Sequence, residues 1–260
     1  MRAVALALLL PAGCIGYGSL DADWRRGQQP AADANAATAA AGSVHMEWRT
    51  LGTSVQGRPL RALTVGHGPR RVLWIGGIHG DEREGSTATR DLPDAFAGVP
   101  GAVSTVTLTI VEDVNPDGTA AKTRTNANGV DLNRNYPAKN FVSGSSYGSH
   151  PLDQPESKLL HDLIDAEQPH LVIVAHAWRG DHFINFDGPA QRLAELFATK
   201  SGYRVKPSDK IAPTPGSLGS WVGRTLGVPI LTLEYERGTD PLTAWLDTRA
   251  AILAVVMADR

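Results

Sequence analysis

Beyond residue 43 the apolar positions follow two rhythms in turn: short continuous runs, and spacings of three and four residues. Together they predict alternating strands and helices. Residues 46–51 and 60–65 flank Gln56-Gly57-Arg58-Pro59 and read as a hairpin. Residues 72–75 are a wholly apolar strand, and Gly76-Gly77 leads from it through a loop into a helix over 84–97. A strand over 103–111 runs into the turn signal Asn115-Pro-Asp-Gly118. The stretch 119–150 is polar and rich in Asn, Gly and Ser, and irregular segments of that length inside a domain usually carry function. A helix starts near Asp153 with Pro155 in its first turn and Leu159, Leu160, Leu163 and Ile164 on one side, ending before Pro169. The apolar run 171–175 reads as a buried parallel-type strand. After it come a short strand over 183–186, helices over 189–201 and 218–226, a strand over 229–235 and a last helix over 241–257. This order predicts one α/β domain of three α/β/α layers, with ligands at the C-terminal ends of the strands.

The first 43 residues keep neither rhythm. Met1-Arg2, an apolar stretch over 3–10 and Pro11-Ala-Gly-Cys14 resemble a bacterial lipoprotein signal ending at Cys14. Cys14 is the only cysteine of the chain, so no intrachain disulfide forms and lipidation is its expected role. Residues 15–43 are rich in Ala, Gly, Asp and Gln and read as a flexible tether, leaving 44–260 as the catalytic domain. The expected location is the periplasm or cell envelope, with membrane association through a lipid anchor on Cys14.

At 260 residues, 42 % apolar and 20 % charged, the chain is long enough to bury a core. Its formal net charge of −2 and its lack of basic runs argue against nucleic acid as a partner.

The candidate chemistry gathers where strands end. His79 and Glu82 leave the strand at 72–75 together, and His176 ends the run 171–175. A catalytic zinc takes three nitrogen or oxygen donors at about 2.0–2.2 Å and leaves one position for water. His79, Glu82 and His176 supply one such set, for a single Zn2+. Bound water then becomes acidic enough to act as a nucleophile near neutral pH. A carboxylate must move its proton, and Glu234, at the end of the strand 229–235, is the candidate. Glu236 shares its strand parity, and Glu112 and Asp181 are further rivals. Arg124 or Arg134 offers positive charge to a developing oxyanion, while the other, with Asn133, suits a substrate carboxylate. His45, His67, His150, His161, His170 and His182 have no partner motif and read as surface or packing residues.

In wording and order these segments resemble the zinc carboxypeptidases of the carboxypeptidase A type, and within them more closely the bacterial murein peptide amidases. The resemblance spans about residues 44–258. It rests on His79-x-x-Glu82, Lys122-Thr-Arg124, Asn133-Arg-Asn135, His176 after a core strand, and Thr232-Leu-Glu234. It implies a mixed, mainly eight-stranded sheet. It also implies zinc on His79, Glu82 and His176, Arg124 beside the polarised carbonyl, Asn133 and Arg134 on the terminal carboxylate, and Glu234 as base. The digestive branch carries a mobile tyrosine in the loop before the base-bearing strand. Here that loop reads Pro213-Thr-Pro-Gly-Ser-Leu-Gly-Ser-Trp221, without tyrosine and similar to the murein branch. Ser217 and Ser220, with Thr214, are therefore candidate pocket residues, the alternative being serines that cap a helix. Trp178 and Tyr235 are candidates to line the pocket or to pack in the core.

The leading expectation is a zinc-dependent peptidase releasing the C-terminal residue of a cell-wall peptide at the γ-D-glutamyl–diaminopimelate bond. The alternatives are a general metallocarboxypeptidase, an aspartoacylase-like deacylase of N-acyl amino acids, and a non-catalytic wall-binding lipoprotein.

Overall fold

A computed structural model of the chain describes residues 46–211 and 213–259. The expected signal, Cys14 and the tether over 15–43 lie outside the described residues. Eight strands form one sheet in the order β1-β2-β4-β3-β5-β8-β6-β7. They are β1 (Arg49–Thr53), β2 (Pro59–Val65), β3 (Arg70–Ile75), β4 (Val106–Val111), β5 (Leu171–Trp178), β6 (Phe183–Asp187), β7 (Arg204–Pro207) and β8 (Ile230–Glu236). β3, β4, β5 and β8 run parallel at the centre, while β1 with β2, β2 with β4, and β6 with β8 pair antiparallel. The sheet is mixed, as the resemblance implies.

Alternation along the central strands assigns the two faces. Val72 and Trp74 of β3, Leu171, Ile173 and Ala175 of β5, and Leu231, Leu233 and Tyr235 of β8 pack on one face. Three helices cover it: α1 (Ser86–Ala97), α4 (Gln191–Ser201) and α5 (Pro241–Met257). Leu73, Ile75, Val172, Val174 and Ile230 point the other way, toward Leu160, Leu163 and Ile164 of α3 (Pro155–Glu167) and toward Tyr136 and Trp221. β5 is buried along seven of its eight residues, as a parallel strand covered on both faces must be.

The differences from the sequence reading are local. Asn115-Pro-Asp-Gly118 opens a short helix, α2 (Pro116–Ala121), instead of a simple turn. The Asn115 side chain accepts from Gly118 N at 2.9 Å, and Pro116 stands in the first turn, where its missing N–H costs nothing. The strand expected over 103–111 starts at Val106, after one helical turn, Ala102–Thr105. The helix expected over 218–226 is a wider π-type turn, Gly219–Thr225. β7 has no counterpart in the sequence reading, because Arg204-Val-Lys-Pro207 is a polar edge strand without periodicity. No helix among the described residues is long and apolar enough to cross a membrane.

Candidate metal centre and pocket

The loop after β3 is anchored before it reaches the site. Gly76 N donates to Val111 O at 3.0 Å, while Val114 N and Asn115 N donate to Gly76 O and Gly77 O at 3.1 and 2.9 Å. At Gly80 a β-carbon would lie 1.9 Å from the backbone carbon of Gly118, so only glycine lets the loop seat on α2. One turn later Glu82 N donates to His79 O at 3.2 Å, which turns both side chains to the same side.

There they meet His176. His79 Nδ1 lies 3.0 Å from Glu82 Oε1, His176 Nδ1 lies 2.9 Å from Glu82 Oε2, and the two Nδ1 atoms are 3.1 Å apart. All three side chains are almost wholly buried. Tetrahedral ligands at about 2.0–2.1 Å from one ion stand about 3.3 Å apart, so this donor set fits a zinc ion. Among the described residues it is the one group of His, Cys, Asp or Glu side chains gathered closely enough to hold a metal.

The surroundings are charged in a definite way. Burial would raise Glu82, but hydrogen bonds from His176 and His79 hold it far below the usual carboxylate range. Burial would lower His79, and the carboxylates of Asp131 and Glu82 outweigh it and raise its pKa. For His176 burial prevails over Glu82, and its pKa is lowered. His79 Nε2 meets Asp131 Oδ1 at 3.0 Å, which orients the imidazole so that Nδ1 faces the donor cluster. Arg124 spans both carboxylates, with Nε 2.9 Å from Asp131 Oδ2 and Nη1 3.0 Å from Glu82 Oε1.

The 3-10 turn Leu132–Arg134 carries the next pair. Asn133 Nδ2 lies 3.2 Å from His176 Nε2, and its Oδ1 accepts from Leu218 N at 2.9 Å. Arg134 Nη1 donates to Asn133 O at 2.6 Å. Arg124, Asn133 and Arg134 line one pocket with His79, Glu82 and His176. Glu234 lines it too. Burial and the charge of Glu82 push its carboxyl up to about 8, against His79 and Arg124.

Register separates Glu234 from its rivals. It pairs with His176, whereas Glu236 pairs with Trp178 at the exposed strand end. Glu112 is bound to Arg61 and Asp181 to Arg204, away from the pocket. Of the hydroxylated residues, Thr214 and Ser217 line the pocket, but Ser220 does not. Ser217 Oγ accepts from Ser220 N at 3.1 Å, and Ser220 Oγ is engaged by Asn140 Nδ2 at 3.2 Å. Ser220 thus serves the local turn, as the capping alternative holds. Trp178 lines the pocket and is 42 % exposed, while Tyr235 is core and reaches Thr248.

Two partners escaped the sequence reading. Asp131 precedes Leu132-Asn-Arg134, and its signal was only that it lies inside a motif. Arg237, just beyond β8, bonds to Asp81 and brings Nη1 to 3.5 Å from Glu82 Oε1, while Gly238 N donates to Glu84 Oε1 at 2.7 Å. Nothing in the pattern marked it.

The profile of the family described as Zinc carboxypeptidase matches residues 35–193, which include the three donors and Arg124, Asn133 and Arg134 but not Glu234. Murein peptide amidase A of Escherichia coli (strain K12) is 31 % identical over 214 residues, covering 71 % of this chain and 79 % of that protein. The crystal structure of a murein-tripeptide amidase from Escherichia coli O157 superposes with a TM-score of 0.68 at 27 % identity, over 84 % of this chain and 95 % of the other. The carboxypeptidase A of Helicoverpa armigera shares the fold, with a TM-score of 0.67 at 16 % identity over 82 % and 69 %.

Proposed function

The chain belongs to the zinc carboxypeptidase family, a family of zinc-dependent peptidases, and from that premise we propose that it releases the C-terminal residue of a murein peptide at the γ-D-glutamyl–diaminopimelate bond. The observation that carries the reading is the meeting of a three-donor metal set with Glu234 in one pocket that Arg124, Asn133 and Arg134 also line. The murein specificity draws on the names of the amidases to which the chain is similar and on the loop before β8, which offers small and hydroxylated residues and no tyrosine.

Each residue has a task in this scheme. His79, Glu82 and His176 hold one zinc ion, which supplies a polarised water nucleophile and a Lewis acid. Asn133 and Arg134 take the terminal carboxylate, the guanidinium in two parallel hydrogen bonds. Arg124, already pairing with two carboxylates at the site, turns a donor toward the oxygen on which negative charge develops. Glu234, which lines the same pocket, removes the proton from the attacking water and returns it to the departing amine. Thr214 and Ser217 line the space for the departing residue.

The catalytic unit of the proposal is 44–260. The lipoprotein-type signal at 1–14 and the tether at 15–43 place it in the cell envelope, anchored through Cys14. The test is mass analysis of products after zinc-loaded protein meets L-Ala-γ-D-Glu-diaminopimelate, ordinary α-linked peptides and N-acyl amino acids together. Free diaminopimelate as sole product upholds the reading. Cleavage of another member reassigns the substrate, and no product from any member sinks the catalytic reading.

A further inference from the structure

The rim of the pocket carries a cation with no part in the scheme above. Along β5 and β8 the register stacks the site in levels: Val174 with Thr232, His176 with Glu234, and Trp178 with Glu236. Val174 and Thr232 line the inner level, while Trp178 and Glu236 are the strand residues that reach solvent. A departing residue fills the enclosed part of the pocket. The acyl part of the peptide therefore leaves past Trp178 and Glu236, and Arg179 follows Trp178 directly.

The turn that holds Arg179 is fastened on both sides. Gly180, with φ +91°, turns the chain, and Arg237 N donates to Trp178 O at 2.9 Å. Asp181 accepts from His182 N at 2.9 Å and pairs with Arg204 and Lys206. The neighbouring cations are thereby engaged, Arg204 and Lys206 by Asp181, and Arg237 by Asp81 and Glu82. Arg179 is exposed and, among the described residues, has no hydrogen-bond or ion-pair partner. No existing bond has to break for it to take an anion.

We infer that Arg179 is the specificity residue that binds the free α-carboxylate of a γ-linked glutamyl residue on the acyl side of the cleaved bond. The inference rests on the murein reading and deepens it, by assigning the group that recognises this glutamate. A γ-glutamyl amide leaves the α-carboxylate free, beside the nitrogen that continues the peptide. Four bonds of about 1.5 Å separate that carboxylate from the scissile carbonyl, about 5 Å when extended. Trp178 stands two residues along β5 from His176, about 7 Å. From a carbonyl at the level of His176, the carboxylate arrives just inside the rim, in reach of the arginine beside Trp178. The guanidinium offers it two parallel donors. Glu236, exposed opposite Trp178, repels an anion and restricts it to the Arg179 side.

The test keeps the linkage and changes only this carboxylate. L-Ala-γ-D-Glu-diaminopimelate is compared with the same peptide built on D-isoglutamine, whose α-carboxamide has the same shape and no charge, and kcat/KM is measured for both. Calorimetry of the two peptides on zinc-loaded Glu234→Gln protein reads the preference without turnover. The wild-type chain should prefer the carboxylate by about 10-fold, the scale of one charge-assisted contact at a partly solvated rim. The preference should shrink toward about 1 M salt, where the screening length is about 3 Å. Arg179→Gln should abolish it, and Arg179→Lys, which keeps the charge but not the paired donors, should retain part of it. Cleavage of both peptides at equal rates by the wild type overturns this inference and leaves the murein reading standing. A ratio that survives Arg179→Gln while both peptides fall together also overturns it, as the behaviour of a purely structural residue. Failure of both peptides to bind or turn over sinks the murein reading and this inference with it.

Discussion

His176 and Glu234 are register partners on adjacent parallel strands, β5 and β8, and their side chains share one face of the sheet. The pairing fixes the separation of the His176 imidazole and the Glu234 carboxyl, the proposed metal donor and base, through backbone hydrogen bonds instead of through loop conformation. Precision of that kind is what proton transfer at a metal site requires.

Glu234→Gln keeps the shape and leaves all three donors in place. Zinc content should remain stoichiometric while kcat falls by about 10²–10⁴-fold. Metal analysis beside steady-state rates separates the two effects, and an unchanged kcat removes Glu234 from the mechanism.

His176→Ala removes one of three donors. Zinc and activity should disappear together, and the stabilisation that zinc gives the wild type in thermal unfolding should vanish with them. One equivalent of zinc retained after dialysis would demand a different donor set.

Asp131→Asn deprives His79 Nε2 of its carboxylate while leaving the donors untouched. Zinc affinity, measured by competition with a chromophoric chelator, should weaken by about 10–100-fold. An affinity equal to wild type would mean that the protein holds the imidazole in place without Asp131.

Asp113 provides a pH signature outside the site. Burial raises its carboxyl to about 6 despite hydrogen bonds from Thr119 and the Asn115 backbone. The folded pKa lies above the unfolded one, so stability from this group is full below about 3.9 and is lost as pH rises through about 6. The loss is at most about 3 kcal/mol. Asp113→Asn should therefore raise Tm relative to wild type above pH 6 and gain nothing near pH 4. Parallel Tm curves for the two proteins across that range would refute it.

The site was legible where chemistry restricts residue type. His79, Glu82 and His176 each stand where an apolar run stops, and no bland packing role explains an imidazole or carboxylate at all three positions. Strand parity left Glu234 level with Glu236, and only the resemblance of Thr232-Leu-Glu234 chose between them; the register with β5 sets Glu234 opposite His176. Local sequence could not place Ser220, because a hydroxyl beside a pocket and a hydroxyl inside a turn look the same there, and the structure engages it with Ser217 and Asn140. Arg237 lies 156 residues from Asp81 in the chain, a pairing no local pattern encodes. The sheet interior followed from apolar runs, whereas β7, a polar edge strand, had no pattern to read.

β8 is the last strand made, yet it fills a slot between β5 and β6, in the middle of the sheet. A chain stopped short of residue 230 would possess every metal donor and no base, with two unpaired strand edges facing each other across the gap. Such a fragment could bind zinc without turning over and would be prone to pair with other chains. On the proposed roles, hydrolytic competence therefore depends on the last strand of the chain, and a molecule without it is expected to be inert toward the peptides around it.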